Sequence, residues 1–323
     1  MSAPLALVAD LGGTNTRVAL ADGKVVRPGS IRKFANAEFA SLEPVLVRYL
    51  AEAGVARVDG ACVAAAGPVQ GGVAVMTNLD WTIDAPQLVR ATGAGQTAIL
   101  NDLQAQGHAL GHIAAEHLRP LIPGPQPAGA TMLVVGVGTG MNAAPVHETP
   151  WGRVVAASEC GHISMPIRNG EDFRLARFVE GHGPHAHGFA GVEDVLAGRG
   201  LEHVHAFVTA EAGKMQDRRA AEIMAALAAG EPLARQTARL YVHILGAVLG
   251  NLALIHLPFG GIYLIGGVAR AMTPYMQEMG LADSFRDKGR FGSFMESFAV
   301  SVVEDDFAAL TGCAAYLASG GRG

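Results

Sequence analysis

"VADLGGTNTR", Val8 to Arg17, decides the fold: an apolar run ends in an aspartate and is followed at once by two glycines, a threonine and an asparagine. A glycine turn between two strands leaves successive backbone N–H groups pointing outward with no side chains in the way, and such a nest accepts phosphate oxygens. Asp10 cannot itself cradle phosphate. A carboxylate beside a polyphosphate is useful mainly by holding Mg2+, which cancels the repulsion, and Thr14 adds a hydroxyl. Two further stretches have the same character. "GVGTGM", Gly136 to Met141, follows the strand "TMLVV", and "IYLIGGVAR" puts Gly266 and Gly267 at a strand-to-helix turn. Neither a Walker A motif nor a GxGxxG that opens a helix is present.

Working outward, short aliphatic runs alternate with turn signals: "LALVADLG", "TRVALADG" and "KVVRPGSIRKF" read as strands, "FASLEPVLVRYLAEAG" as a helix, "GACVAAAGPV" as a strand. Asp84 caps a helix with Pro86 in its first turn, and the strand "TAILND" follows. After the proline-rich loop "LIPGPQPAGA" the plan restarts with strand, glycine turn, strand. This repetition predicts two related α/β lobes facing each other across a cleft, each supplying a phosphate loop. The uncharged segment from Leu240 to Ala269 is long enough to span a bilayer, but His243, Asn251, His256 and Pro258 interrupt it. It reads as a buried helix running into a buried strand.

The 323 residues carry 24 basic and 29 acidic side chains, a formal net charge of −5, without the basic cluster that tracks a nucleic-acid backbone. Cys62, Cys160 and Cys313 form neither a CxxC pair nor an even framework, which suits a reducing compartment. No secretory signal is read at the N-terminus, so a cytoplasmic location without membrane or nucleic-acid partners is expected.

"DLGGTN" (Asp10 to Asn15), "GTGM" (Gly138 to Met141) and "LIGGV" (Leu264 to Val268) resemble the first phosphate, second phosphate and adenosine motifs of the hexokinase–actin superfamily. More closely, the chain resembles the bacterial ATP-dependent glucokinases from end to end. "MTNLDW", "NDLQA", "VEDVLAGRGL", "GNLAL" and "FRDKGRF" match that family's blocks in that family's order. The resemblance implies two actin-like (ribonuclease-H-like) lobes with mixed sheets flanked by helices and the active-site cleft between them. The expected division is a small lobe, 1–112 plus a returning C-terminal helix in 307–323, and a large lobe, 113–306. ATP would lie against Asp10, Gly12, Gly13, Thr14, Asn15, Gly138, Thr139, Gly140, Gly266 and Gly267, with Asp10 serving Mg2+.

For the sugar, the resemblance makes Asp102 the base for the primary hydroxyl and Asn101 the holder of a ring hydroxyl. Asn101–Asp102 also reads as a helix N-cap before "LQAQGHAL", and both can hold. Glu159 and His162 in "SECGH" and Glu193 in "GVEDVL" match the family's ligands to the anomeric and adjacent hydroxyls, and Asn78 would support the pocket. Buried donors and acceptors reject a polyol analogue that leaves one of them unpaired.

Three positions depart from the family. Asn142 stands where "GTGLG" has its last glycine, and Asn tolerates the left-handed backbone such a turn would need. Cys160 replaces a glycine between two sugar ligands, where a thiol would either crowd the anomeric side or, if exposed and acidic, make activity sensitive to oxidation. Ser164, in "HISMP", replaces an aspartate behind the histidine. His182, His185 and His187 lie within six residues and invite a metal site, although a solvated loop is the plainer reading. The expected activity is ATP-dependent phosphorylation of glucose by a homodimer. A kinase of another hexose or amino sugar, a non-catalytic sugar sensor and an actin-like ATPase are the alternatives.

Overall fold

The structure, a computed structural model, describes residues 3–76, 79–182 and 188–320. Contacts divide the chain into two compact units, Met1–His117 with Val146–Ala156 and Asp305–Gly323, and Leu118–Pro145 with Ala157–Glu304. The hairpin segment Val146–Ala156 groups with the first unit, whereas the sequence reading places all of 113–306 in the large lobe.

The first unit opens with β1 (Leu5–Leu11) and β2 (Asn15–Asp22), an antiparallel hairpin whose register sets Asp10 opposite Arg17. β3 (Val25–Val26) and β4 (Arg32–Ala35) both pair with β2. After α1 (Leu42–Ala53), β5 (Gly60–Ala65) lies parallel to β1. A separate three-stranded sheet of β6 (Val69–Gln70), β7 (Val73–Val75) and β8 (Thr82–Ile83), unread in the sequence, precedes α2 (Ala85–Thr92). The Asp84 carboxylate accepts from the Gln87 N–H at 2.8 Å, the cap the sequence predicts. β9 (Gln96–Asn101), parallel to β5, leads directly into α3 (Asp102–Ala109).

In the second unit β10 (Leu118–Ile122) is followed by β11 (Met132–Val137) and β12 (Met141–Thr149), whose far end pairs with β13 (Gly152–Val155) in the Val146–Ala156 segment. Helices α4 (Gly170–Gly181), α5 (Glu193–Leu196), α6 (Gly198–Glu211), α7 (Ala220–Ala228) and α8 (Pro232–His256) come next. β14 (Ile262–Ile265), α9 (Gly267–Met276), α10 (Leu281–Arg286) and β15 (Val300–Val303) complete it, with strand order β10-β15-β14-β11-β12. The chain then ends in α11 (Ala308–Ala318), which belongs to the first unit.

Each unit is thus built on one plan: a glycine turn joins an antiparallel hairpin whose first strand continues into parallel neighbours, β1 with β5 and β9 in one, β11 with β14 and β15 in the other. Among the described residues α8 alone is long and apolar enough to cross a membrane, and 72% of that stretch is buried inside the protein. Its apolar character serves a core, as the sequence suggested. α8 stops at Leu257, which takes the left-handed conformation (φ 46°) just before Pro258.

Candidate active site

The first glycine loop is held from outside itself. Gly12 N–H donates to Asn15 O at 3.0 Å, closing the turn. Asn36, just beyond β4 and 2% exposed, donates through Nδ2 to Gly12 O (2.8 Å) and through its backbone N–H to Thr14 O (2.9 Å). Its Oδ1 accepts from the buried Thr16 hydroxyl at 2.7 Å. Sequence reading missed Asn36, because nothing local marks a side chain twenty-four residues from Gly12. Thr14 itself is exposed. Asp10 lies 3.1 Å from the Arg17 guanidinium, as the strand register dictates. Burial pushes the Asp10 carboxyl above its ordinary range while Arg17 pulls it down.

Asp102 is the first residue of α3. Asn101 caps that helix: its Oδ1 accepts from Leu103 N–H at 2.9 Å, and Gln104 Oε1 reaches back to Asn101 N–H at 3.2 Å. Asn101 Nδ2 also donates to Gly67 O at 3.0 Å, tying β9 to the end of β5. The helix is fixed along its length. A Cβ on Gly312 of α11 would stand 1.7 Å from Ala105 O, so only glycine allows α11 to approach α3 so closely. Arg153 Nη1 donates to Gly107 O (3.2 Å) and His108 O (3.0 Å) and also to Leu110 O, holding the carbonyl end of the helix. The Asp102 carboxyl reaches solvent, yet the protein packed around it raises its pKa, the Leu103 N–H opposes that shift, and the negative charge of Asp10 adds to it.

The second loop is held by close approach rather than by side-chain amides. Gly138 N–H donates to Gly140 O (2.9 Å), and Gly138 O accepts from Gly198 N–H at the start of α6 (2.8 Å). A Cβ on Gly138 would lie 3.9 Å from Gly266 Cα and from Gly267 N, so the second loop and the strand-to-helix turn, distant in sequence, come together. Gly266 has φ 103°, and a Cβ there would be 2.4 Å from Val137 O. Gly267 begins α9 with no side chain capping the helix. Unpaired N–H groups at a helix start favour an anion.

Glu193 sits beneath this loop: Oε2 accepts from Met141 N–H at 2.9 Å, and a Cβ on Gly140 would be only 2.8 Å from that oxygen. Arg199 Nη2 lies 3.7 Å from the other oxygen. Gly161 is wedged between Met141 O and Glu193 Cβ, which brings the turn carrying Glu159 and His162 beside Glu193. Both Glu159 and His162 are exposed, and the His162 imidazole is without a hydrogen-bond partner among the described residues. Exposed Ser164 bridges to Gly191. Asn78 lies outside the described residues.

Two expectations about the departures are corrected. Asn142 is not a left-handed turn residue; it is the second residue of β12, and Leu257 is the only non-glycine at positive φ among the described residues. Its amide instead reaches across to the turn that carries Glu159 and His162. Cys160 is half-buried, and burial raises its thiol pKa, so the acidic, exposed thiol that would sensitise activity to oxidation is not what the structure holds.

No group of three His, Cys, Asp or Glu side chains forms a metal cage among the described residues. The donor set nevertheless suits Mg2+, which takes one or two carboxylates together with substrate phosphates. The negative charge of Asp10 bears on Asp102, and a cation held by these carboxylates would relieve that repulsion. His182 stacks on Phe178 with ring centroids 4.5 Å apart, while His185 and His187 lie outside the described residues.

Mixed sheets flanked by helices, doubled on one plan with a glycine turn in each, define a protein of the actin-like ATPase fold. A crystal structure of glucokinase from an Antarctic psychrotroph is similar with a TM-score of 0.88 and 28% identity, covering 97% of this chain and 98% of that one. The glucokinase of Cupriavidus metallidurans is 32% identical over 318 residues (97% of this chain, 93% of the relative). That of Mesorhizobium japonicum is 30% identical over 312 residues, covering 96% and 90%. The glucokinase family model matches residues 7–320, and the chain belongs to the glucokinase family, whose enzymes phosphorylate glucose.

Proposed function

We propose that the chain transfers the γ-phosphoryl group of ATP to the 6-hydroxyl of glucose, with Asp102 as general base. The observation that carries this reading is the Asp102 carboxyl: it is presented at the capped end of a helix locked at both ends, reaches solvent, and has its pKa raised. A base with a raised pKa accepts a hydroxyl proton more readily than an ordinary aspartate does. Phosphoryl transfer asks for little else than an in-line hydroxyl, neutralised phosphate charge and that base.

The remaining residues take the roles of binding and orientation. The backbone N–H groups of Gly12 to Asn15 and of Gly138 to Gly140 would receive phosphate oxygens, and Gly266–Gly267 would let the nucleotide pass close to the backbone. Mg2+, held at Asp10 and the phosphates, would supply charge neutralisation. Asn101, Glu159, His162 and Glu193 would pair with sugar hydroxyls, Asn78 supporting them. Asn101 can do so while capping α3, since its amide keeps one N–H beyond the bond to Gly67. A homodimer in a reducing, cytoplasmic setting completes the proposal.

The test is ADP release with Mg2+-ATP against glucose, mannose, fructose, glucosamine and N-acetylglucosamine. Asp102→Ala is expected to fold and to lose turnover by about 10² or more. Because the base works only when ionised and its pKa is raised, wild-type kcat/KM should fall on acidification at a pH above that of an ordinary aspartate. Turnover confined to another sugar would move the substrate, and glucose binding without turnover would sink the enzymatic reading.

A further inference from the structure

Asn142 makes more hydrogen bonds than any other polar side chain around the sugar turn. Its Oδ1 accepts from the backbone N–H groups of Ala143 (2.8 Å) and Cys160 (3.1 Å), and it lies 3.0 Å from Ser158 Oγ and 3.5 Å from Cys160 Sγ. Two backbone donors aimed at one atom fix that atom as the oxygen, since an NH2 group there would meet two N–H groups head on. The amide nitrogen therefore has to face the other way. There it donates to Ser158 O and, at 3.2 Å, to the Glu159 carboxylate Oε2.

Glu159 is exposed, and a glutamate on the surface ordinarily samples many rotamers, each of which a bound sugar would have to exclude. The bond from Asn142 restrains it before any ligand arrives. Asn142 is itself restrained by its place in β12, one residue after Met141, whose N–H rests on Glu193. A single short strand segment thus supports both Glu159 and Glu193. The two departures from the family's glycines, Asn142 and Cys160, touch one another and form one brace.

We infer that Asn142 is a positioning residue that orients the Glu159 carboxylate to accept a glucose hydroxyl. This rests on the reading of glucose as the sugar and of Glu159 as one of its ligands. The donation from Nδ2 to a carboxylate is charge-assisted, the stronger class of hydrogen bond, so its loss should be legible in sugar affinity.

The experiment is glucose titration by calorimetry at pH 8 without nucleotide, on wild type, Asn142→Asp and Asn142→Ala, with thermal melts beside it. Asn142→Asp keeps the shape and the accepting oxygen but turns the donor into a second carboxylate facing Glu159; Asn142→Ala removes every contact. A positioning role predicts that the aspartate variant binds glucose about tenfold or more weakly than wild type and more weakly than the alanine variant, because repulsion adds to the lost bond. A merely structural role predicts the reverse order, with the alanine variant worse, and that order overturns the proposal. In steady state, glucose KM should rise more than kcat falls. Should the aspartate variant not fold, glucose affinity in Asn142→Ala equal to that of wild type also overturns it. Wild type that neither binds nor turns over glucose removes the functional reading and this inference together; wild type that does both, with variants unchanged, removes this inference alone.

Discussion

The two glycine turns, Gly12 to Asn15 and Gly138 to Gly140, occupy equivalent places in the two units and are built by opposite means. The first has room: the nearest atom to a Cβ on Gly12 is Asn15 O at 3.4 Å, an ordinary contact, and the turn keeps its shape because Asn36 bonds it at Gly12 and Thr14. The second has less: Gly140 lies under Glu193, and Gly266, in the turn beside the loop, lies against Val137 O. One loop is specified by a buried amide, the other by the absence of side chains. Substitution should therefore fail differently in the two. In the first, removing a polar partner is the damaging change; in the second, adding a methyl is.

The largest effect is expected at Gly266→Ala. A φ of 103° is costly for any L side chain, by about 1–3 kcal/mol, and the new Cβ would overlap the Val137 carbonyl, so backbone must move as well. Melting should drop by several degrees, with nucleotide binding lost alongside. A variant as stable as wild type would break the comparison, because the second loop would then have slack. Asn36→Ala comes next. It strips the buried Thr16 hydroxyl of its acceptor and Gly12 O of its donor, a cost of about 1–3 kcal/mol. ATP KM should rise while glucose affinity, measured without nucleotide, stays close to wild type. Equal damage to both affinities would mean that Asn36 supports the unit as a whole rather than the loop.

What was legible in the sequence follows the same division. A strand, a glycine pair and a second strand are local, so β1, β2, β11, β12 and the turns between them can be read directly, as can the Asn101 cap, whose partners Leu103 and Gln104 are two and three residues away. The supports of those loops are not local. Asn36 reaches Gly12 across the sheet, Gly198 meets Gly138 from the start of α6, and Gly312 admits α3 from the far end of the chain. In each case an ordinary residue acquires its role only when two elements are packed. Asn142 shows the same limit from the other side. Read as a member of a turn, it suggests backbone tolerance; placed in a strand, its side chain is free to hold Glu159.

The smallest structural effect, and the sharpest test of the contrast, is Gly12→Ala. Gly12 is not among the glycines at positive φ, so alanine meets no backbone strain, and restricting the unfolded chain contributes about 0.4–1 kcal/mol in favour of the folded state where the native conformation suits it. The melting temperature should stay level or rise slightly. Yet the methyl would project into the space that the proposed phosphate needs, and nucleotide affinity should fall while glucose binding holds. Such a split assigns the glycine to the ligand rather than to the fold, which is the reverse of Gly266. If the melt falls as far as it does for Gly266→Ala, the first loop is as tightly packed as the second and the contrast between them disappears. If nucleotide affinity is unchanged, the first turn is not where phosphate lies.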